Sequence, residues 1–211
     1  MNNIELEKRA FIVANDFKGI IPYNEAFYLH SIIYSASRCL DSFERFDKLK
    51  TMQGKAEDLV SLVQEAIGHS AALSRYFWPS ESKYQKKAKP NLATQKERRS
   101  EKLRIAFGLD ESSPLFNRSL RNAWEHFDER LDIYFLGCES GYFFPNCVLD
   151  NHNLANESIA HIFKLLDLES ECLVLLGEKF FFSPIRGTVQ TVLNLALEFD
   201  NNGGRLPETK P

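Results

Sequence analysis

The sequence predicts a mainly α protein: an up-and-down helical bundle followed by a small C-terminal β-hairpin and a closing helix. Three observations carry this. Apolar residues recur every three to four positions through most of the first two-thirds of the chain. The clearest of these stretches has its own start signal, Ser113–Pro114, and its own stop, Gly137. Beyond Gly137 the pattern changes to short runs of β-formers around a turn-like Asp167–Ser170.

The elements follow in order. Leu6, Ala10, Val13, Ala14 and Phe17 mark a first helix from about Ile4, ended by Gly19–Pro22. Asn24 is a good N-cap for a second, with Leu29, Ile32, Ile33, Ala36, Leu40 and Phe43 on one face. A third runs from about Gly54 through Leu59, Val63, Ala66, Ile67, Leu73 and Phe77 to Pro79, and a fourth covers about Asn91 to Phe107. The fifth, from Pro114 to Gly137, repeats Leu120, Trp124, Phe127, Leu131 and Tyr134 at alternating steps of four and three. Antiparallel packing of such helices gives the bundle. GYFFPNC reads as an irregular connection, and Ile159–Leu166 with Glu171–Phe182 as the two strands of a hairpin. A last helix spans about Pro184 to Phe199. The expected domains are therefore a bundle over 1–137, an extension over 138–200 packed on it, and a flexible tail over 201–211.

Composition narrows the function. The chain has 211 residues, 44% hydrophobic, 17 of them Phe, which is ample for a packed core and excludes wholesale disorder. No apolar run approaches the roughly 20 residues of a membrane span. MNNIELEKRA has no basic-then-apolar leader, so a cytoplasmic protein without a membrane partner is expected. Cys39, Cys138, Cys147 and Cys172 form no CxxC pair and read as buried reduced thiols. There is no HExxH, Gly-rich phosphate loop or GxSxG elbow. Metalloprotease, P-loop NTPase, dinucleotide oxidoreductase and serine hydrolase readings lose their support, and neither metal nor cofactor is expected.

The net charge is −3, yet Lys83 to Arg104 carries +7 in 22 residues and leaves −10 for the remainder. Such a segment can hold phosphates, or it can be a solvated helix face. Lys86, Lys87, Lys89, Arg98 and Arg99 within it, with Arg118 further on, are the candidate RNA contacts. Tyr76, Phe77, Trp78 and Tyr84 stand beside it and could stack bases or end a core-facing helix.

The polar face of the fifth helix carries Arg118, Arg121, Asn122, Glu125, His126, Asp128, Glu129 and Asp132. An Arg, an Asn and a His there can grip a phosphodiester, with the cation answering the charge, the amide orienting and the imidazole moving a proton. A wet, charged helix face is the alternative, since Arg–Glu pairs at this spacing are common surface features.

The stretch Arg121-Asn122-Ala123-Trp124-Glu125-His126, within SLRNAWEHFDERLD on a long late helix, resembles the signature of the HEPN superfamily: an Arg, often followed directly by a polar residue, then four to six residues and a His. The resemblance covers roughly Tyr23 to Leu136. It implies an all-α bundle, a homodimer, and metal-independent endoribonuclease activity of the kind found in toxin–antitoxin, defence and RNA-processing systems. It assigns His126 to acid–base work, Arg121 to the crowded phosphate and Asn122 to positioning. Because one chain has a single His in the motif, a two-fold dimer would supply the second. Non-catalytic members give a second expectation, a module that binds RNA or a partner protein such as an antitoxin's or toxin's cognate. A purely structural helical dimer is the third.

Overall fold

The computed structural model describes residues 1–80, 83–137, 141–156 and 160–207. Among these the chain is mostly helical, with α1 (Asn3–Asp16), α2 (Glu25–Thr51), α3 (Ala56–Phe77), α4 (Lys83–Ala88), α5 (Pro90–Phe107), α6 (Ser119–Glu125), α7 (Phe127–Gly137) and α8 (Ser183–Asn201). Short strands lie between α7 and α8, so the mainly α class with a small C-terminal strand region and a closing helix is what the chain adopts. None of the described helices is long and apolar enough to cross a membrane. The chain groups into two compact units, each assembled from separated segments: Met1–Ser37, Ala72–Phe116 and Gln190–Pro211 in the first, Arg38–Ala71 and Asn117–Val189 in the second.

In the first unit, α1 packs along α5. Asn2 caps α1 by accepting from the Glu5 amide at 2.9 Å. Glu7 on α1 caps α5, its carboxylate accepting from the amides of Asn91 and Leu92 at 2.8 and 3.2 Å, where the helix dipole favours an anion. The turn after α1 needs Gly19: φ is +85°, and a Cβ there would fall 2.1 Å from the Arg99 backbone nitrogen. Leu29, Ile32, Leu73, Leu103 and Phe107 fill the core, and the Phe107 ring meets Phe77 and Phe199, each at 5.3 Å. Glu25 is buried, bonding Lys102 Nζ at 2.6 Å and the Leu206 amide at 3.0 Å.

Leu206, an apolar residue in the stretch expected as a tail over 201–211, is buried. Residues 208–211 of that tail lie outside the described residues, as do Cys138 and Ile159.

In the second unit, Phe182 stacks on Phe43 at 5.9 Å and meets Phe46 edge-on at 6.0 Å. Arg186 holds Asp47 with two bonds of 2.9 and 3.2 Å while its guanidinium lies 4.6 Å from the Phe43 ring centroid. The strand region is richer than one hairpin. The segment read as irregular forms β1 (Tyr142–Phe144) and β2 (Cys147–Val148). β1 pairs in parallel with β3 (Ala160–Ile162), and β2 with β4 (Lys164–Asp167). β4 continues antiparallel into β5 (Cys172–Leu175) and β6 (Glu178–Phe181), giving the order β2-β4-β5-β6. The stretch Glu171–Phe182, expected as one strand, turns at Leu176–Gly177, where both residues have positive φ. A two-residue turn with φ positive at both positions is the type that joins twisted strands.

Candidate functional site

The late helix of the second unit differs from its prediction in two ways that decide the site. Ser113–Pro114 starts only a single turn, with the Phe116 amide donating to Ser113 O at 2.9 Å. Asn117 then draws the local bonds, its Oδ1 accepting from the Ser119 amide at 2.9 Å and the Ser119 hydroxyl at 2.7 Å, so that α6 begins at Ser119. The helix is also interrupted at His126, whose φ and ψ of −111° and 33° are not helical. The bend keeps its backbone bonds: the His126 amide donates to Asn122 O and the Arg130 amide to His126 O, both at 3.1 Å.

Arg121 and His126 consequently face different surroundings. The Arg121 side chain is only 15% exposed and ion-paired one turn on with Glu125, at 3.0 Å from both Nε and Nη2 to Oε2. With Trp124 and Glu125 it lines a cavity of about 440 Å³ against Ser61, Gln64, Glu65, Ile67 and Gly68 of α3. The His126 side chain is 57% exposed, with Nδ1 3.3 Å from Glu129 Oε1, and is not among the residues lining that cavity. Asn122 is exposed as well. The Arg, Asn and His read as one polar face are therefore split, the guanidinium toward α3 and the amide and imidazole toward solvent.

Beyond His126, α7 buries none of its residues among the described packing. Ile133 is 70% exposed and Leu136, one turn on, is 89% exposed; Phe135, Tyr142, Phe143 and Phe144 are exposed as well. Phe135 and Phe143 touch at 6.1 Å, and Phe143 stacks on His161 at 5.0 Å.

The basic candidates belong to the first unit, Arg118 apart. Lys86 bonds Glu97 at 2.7 Å, Arg98 bonds Glu101 at 3.2 Å, and Arg99 donates to Arg75 O at 3.2 Å with its guanidinium 5.7 Å from the Tyr28 ring centroid. Lys102 and Arg104 are drawn inward, to Glu25 and to Phe77 O. Phe77 and Trp78 are core residues, whereas Tyr84 is exposed, as are Lys83 and Lys87. Lys89 is half-buried before α5. If this segment grips single-stranded RNA, replacing Lys83, Lys87 and Lys89 with Gln should flatten the salt dependence of binding by about 0.7 in slope per lost contact. An unchanged slope in filter binding would return these lysines to solvent.

One constellation had no signal in spacing. The Asp167 side chain, 1% exposed, accepts at Oδ2 from the His152 amide at 3.1 Å and lies 2.7 Å from its Nδ1. Its Oδ1 accepts from the amides of Glu169 and Ser170, both at 3.0 Å. Burial works to raise this carboxyl's pKa, but the bonds from Ser170 and His152 outweigh it and hold the group at about 2. A pKa depressed on folding adds stability above the unfolded value of about 3.9, lost as pH falls toward 2, here about 2 kcal/mol. Asp167→Asn should remove this acid limb: denaturant midpoints of the parent should drop between pH 4 and 2 more steeply than those of the variant, and parallel curves would contradict the assignment.

Cys39 and Cys172 are buried, Cys147 is half-buried and all three are free thiols. Burial pushes the Cys39 thiol up to about 12. Among the described residues no three His, Cys, Asp or Glu side chains converge as metal ligands. No family model, curated protein or solved structure matches the chain.

Proposed function

We propose that the chain is a HEPN-like, metal-independent endoribonuclease whose helices form an up-and-down bundle and whose site is completed in a cytoplasmic homodimer. The observation that carries this reading is His126: a solvent-facing imidazole at a helix break, one turn past Asn122, followed by α7 with its exposed Ile133 and Leu136. Burying Ile133 and Leu136 against a second copy would draw two His126 rings toward the two-fold axis, one to take the 2′-OH proton and the other to protonate the leaving 5′-oxygen. Arg121 then has to reach the phosphate. Its partner Glu125 is half exposed, and an ion pair of that kind is worth about 1 kcal/mol or less, so an RNA phosphate with bidentate geometry can displace it.

The same Arg121–Glu125 pair favours a second reading, in which the guanidinium stays sequestered and the protein is a non-catalytic module binding RNA or a partner such as an antitoxin. Purified protein incubated with matched RNA, 2′-O-methylated RNA and single-stranded DNA separates the two. The nuclease cuts only the first. A module binds without cutting any.

A further inference from the structure

The cavity between α3 and α6 has a lining that suits a flat, hydrogen-bonding ring better than a phosphate. Its volume, about 440 Å³, lies in the range of roughly 300–1,000 Å³ typical of small-molecule sites. Trp124 lines it, with Lys164 Nζ 5.4 Å from the centroid of its ring, which leaves the other face for a ligand, and Ile67 adds an apolar wall. Around these stand the Ser61 hydroxyl, the Gln64 amide and the carboxylates of Glu65 and Glu125. Each carboxylate is half exposed with a cation beside it, Arg45 at Glu65 and Arg121 at Glu125. Carboxylates repel a phosphate but accept from ring N–H and exocyclic NH₂ groups, and Glu125 keeps that capacity when Arg121 turns to the scissile phosphate. Gly68 leaves the α3 wall low: a Cβ at this position would meet nothing within 4 Å.

We propose that this cavity takes one unpaired purine base, stacked against Trp124, with its N–H edge turned to Gln64 and the carboxylates. Both purines carry donors that match such acceptors, and their larger π-face gains more from stacking than a pyrimidine does. The ligand's being part of RNA rests on the ribonuclease reading. On that reading the cavity selects the nucleotide beside the scissile bond, because Glu125 and Trp124 immediately precede His126 in the chain. Gln64, Glu65 and Trp124 would be specificity residues, which hold the substrate without touching the reacting atoms.

Tryptophan emission reads this directly. The chain has two tryptophans, and Trp78 is buried in the first unit, so quenching by a ligand reports Trp124. GMP and AMP titrated into the full chain should quench saturably and more tightly than UMP. Gly68→Leu, which adds a side chain into open space, and Gln64→Ala should each weaken purine binding by about tenfold, the order of one lost stack or good hydrogen bond. Absence of saturable quenching, equal affinity for UMP, or unchanged binding by both variants would overturn the proposal. His126→Ala separates this from the nuclease reading, because it removes the proton carrier and should bind GMP as the parent does. Purine binding by a parent that cuts no RNA would keep the cavity and overturn the nuclease; RNA cleavage without purine binding would overturn the cavity and keep the nuclease.

Discussion

His126→Ala should abolish RNA cleavage while leaving the protein folded. A positioned acid–base group contributes about 10²- to 10⁴-fold, so loss of the imidazole should lower kcat by that amount. The side chain is mostly solvent-exposed, and stability should move by no more than about 0.5 kcal/mol. Arg121→Ala should lose about 10²- to 10³-fold by removing charge stabilisation at the phosphate. Its stability cost is larger than that of His126→Ala, about 1 kcal/mol, because the guanidinium is mostly buried and releases Glu125. Initial rates on a fluorogenic RNA, measured beside thermal unfolding curves, check both. A variant that keeps full activity, or loses it only by unfolding, contradicts the assigned roles.

The second large effect is expected from the uncovered surface of α7. Leu136→Asp places a carboxylate where the proposed homodimer buries an apolar side chain, and an unpaired charge there costs several kcal/mol of association. The isolated chain loses nothing comparable, since Leu136 is already in water. Sedimentation should show a dimer for the parent and a monomer for the variant at micromolar concentration. RNA cleavage should fall as far as in His126→Ala, although every residue of the motif is intact. A parent that sediments as an active monomer would remove the composite site.

Much of the helical part was legible because periodicity, caps and stops agree. The bounds of α1, α3 and α8 follow their apolar registers closely, and α5 falls on the stretch expected from Asn91 to Phe107. The late helix misled because its start signal was genuine but local. Ser113 closes one turn, and Asn117 competes for the next bonds before the apolar seam takes over. Nothing in the spacing marks the break at His126, since both of its backbone bonds survive.

The strand region was harder. Tyr142–Phe144 and Cys147–Val148 are strands of three and two residues, too short for alternation to register, and both pair in parallel with segments farther along the chain. Pairing of that kind depends on partners that local sequence does not display. The same applies to His152 and Asp167 at the end of β4, which meet across 15 residues. In the candidate site, residue types were legible and directions were not. A uniform helix puts Arg121, Asn122 and His126 on one broad face, whereas the interrupted one turns the guanidinium to α3 and leaves the imidazole in water. Gly68 in mid-helix and Trp124 opposite it were the available signs of a cavity, and they become signs only once α3 and α6 are known to be neighbours.

The most direct test of the central claim is the chemistry of the cut ends, read by mass spectrometry after incubation of a defined RNA with the protein in excess EDTA. If His126 imidazoles activate the substrate's own 2′-OH, cleavage proceeds without a free divalent ion. The fragments then carry a 2′,3′-cyclic phosphate on one side and a 5′-hydroxyl on the other. Fragments bearing a 3′-hydroxyl and a 5′-phosphate, formed only when Mg²⁺ or Mn²⁺ is restored, would show that a metal-held water is the nucleophile and that His126 does not have the role assigned to it.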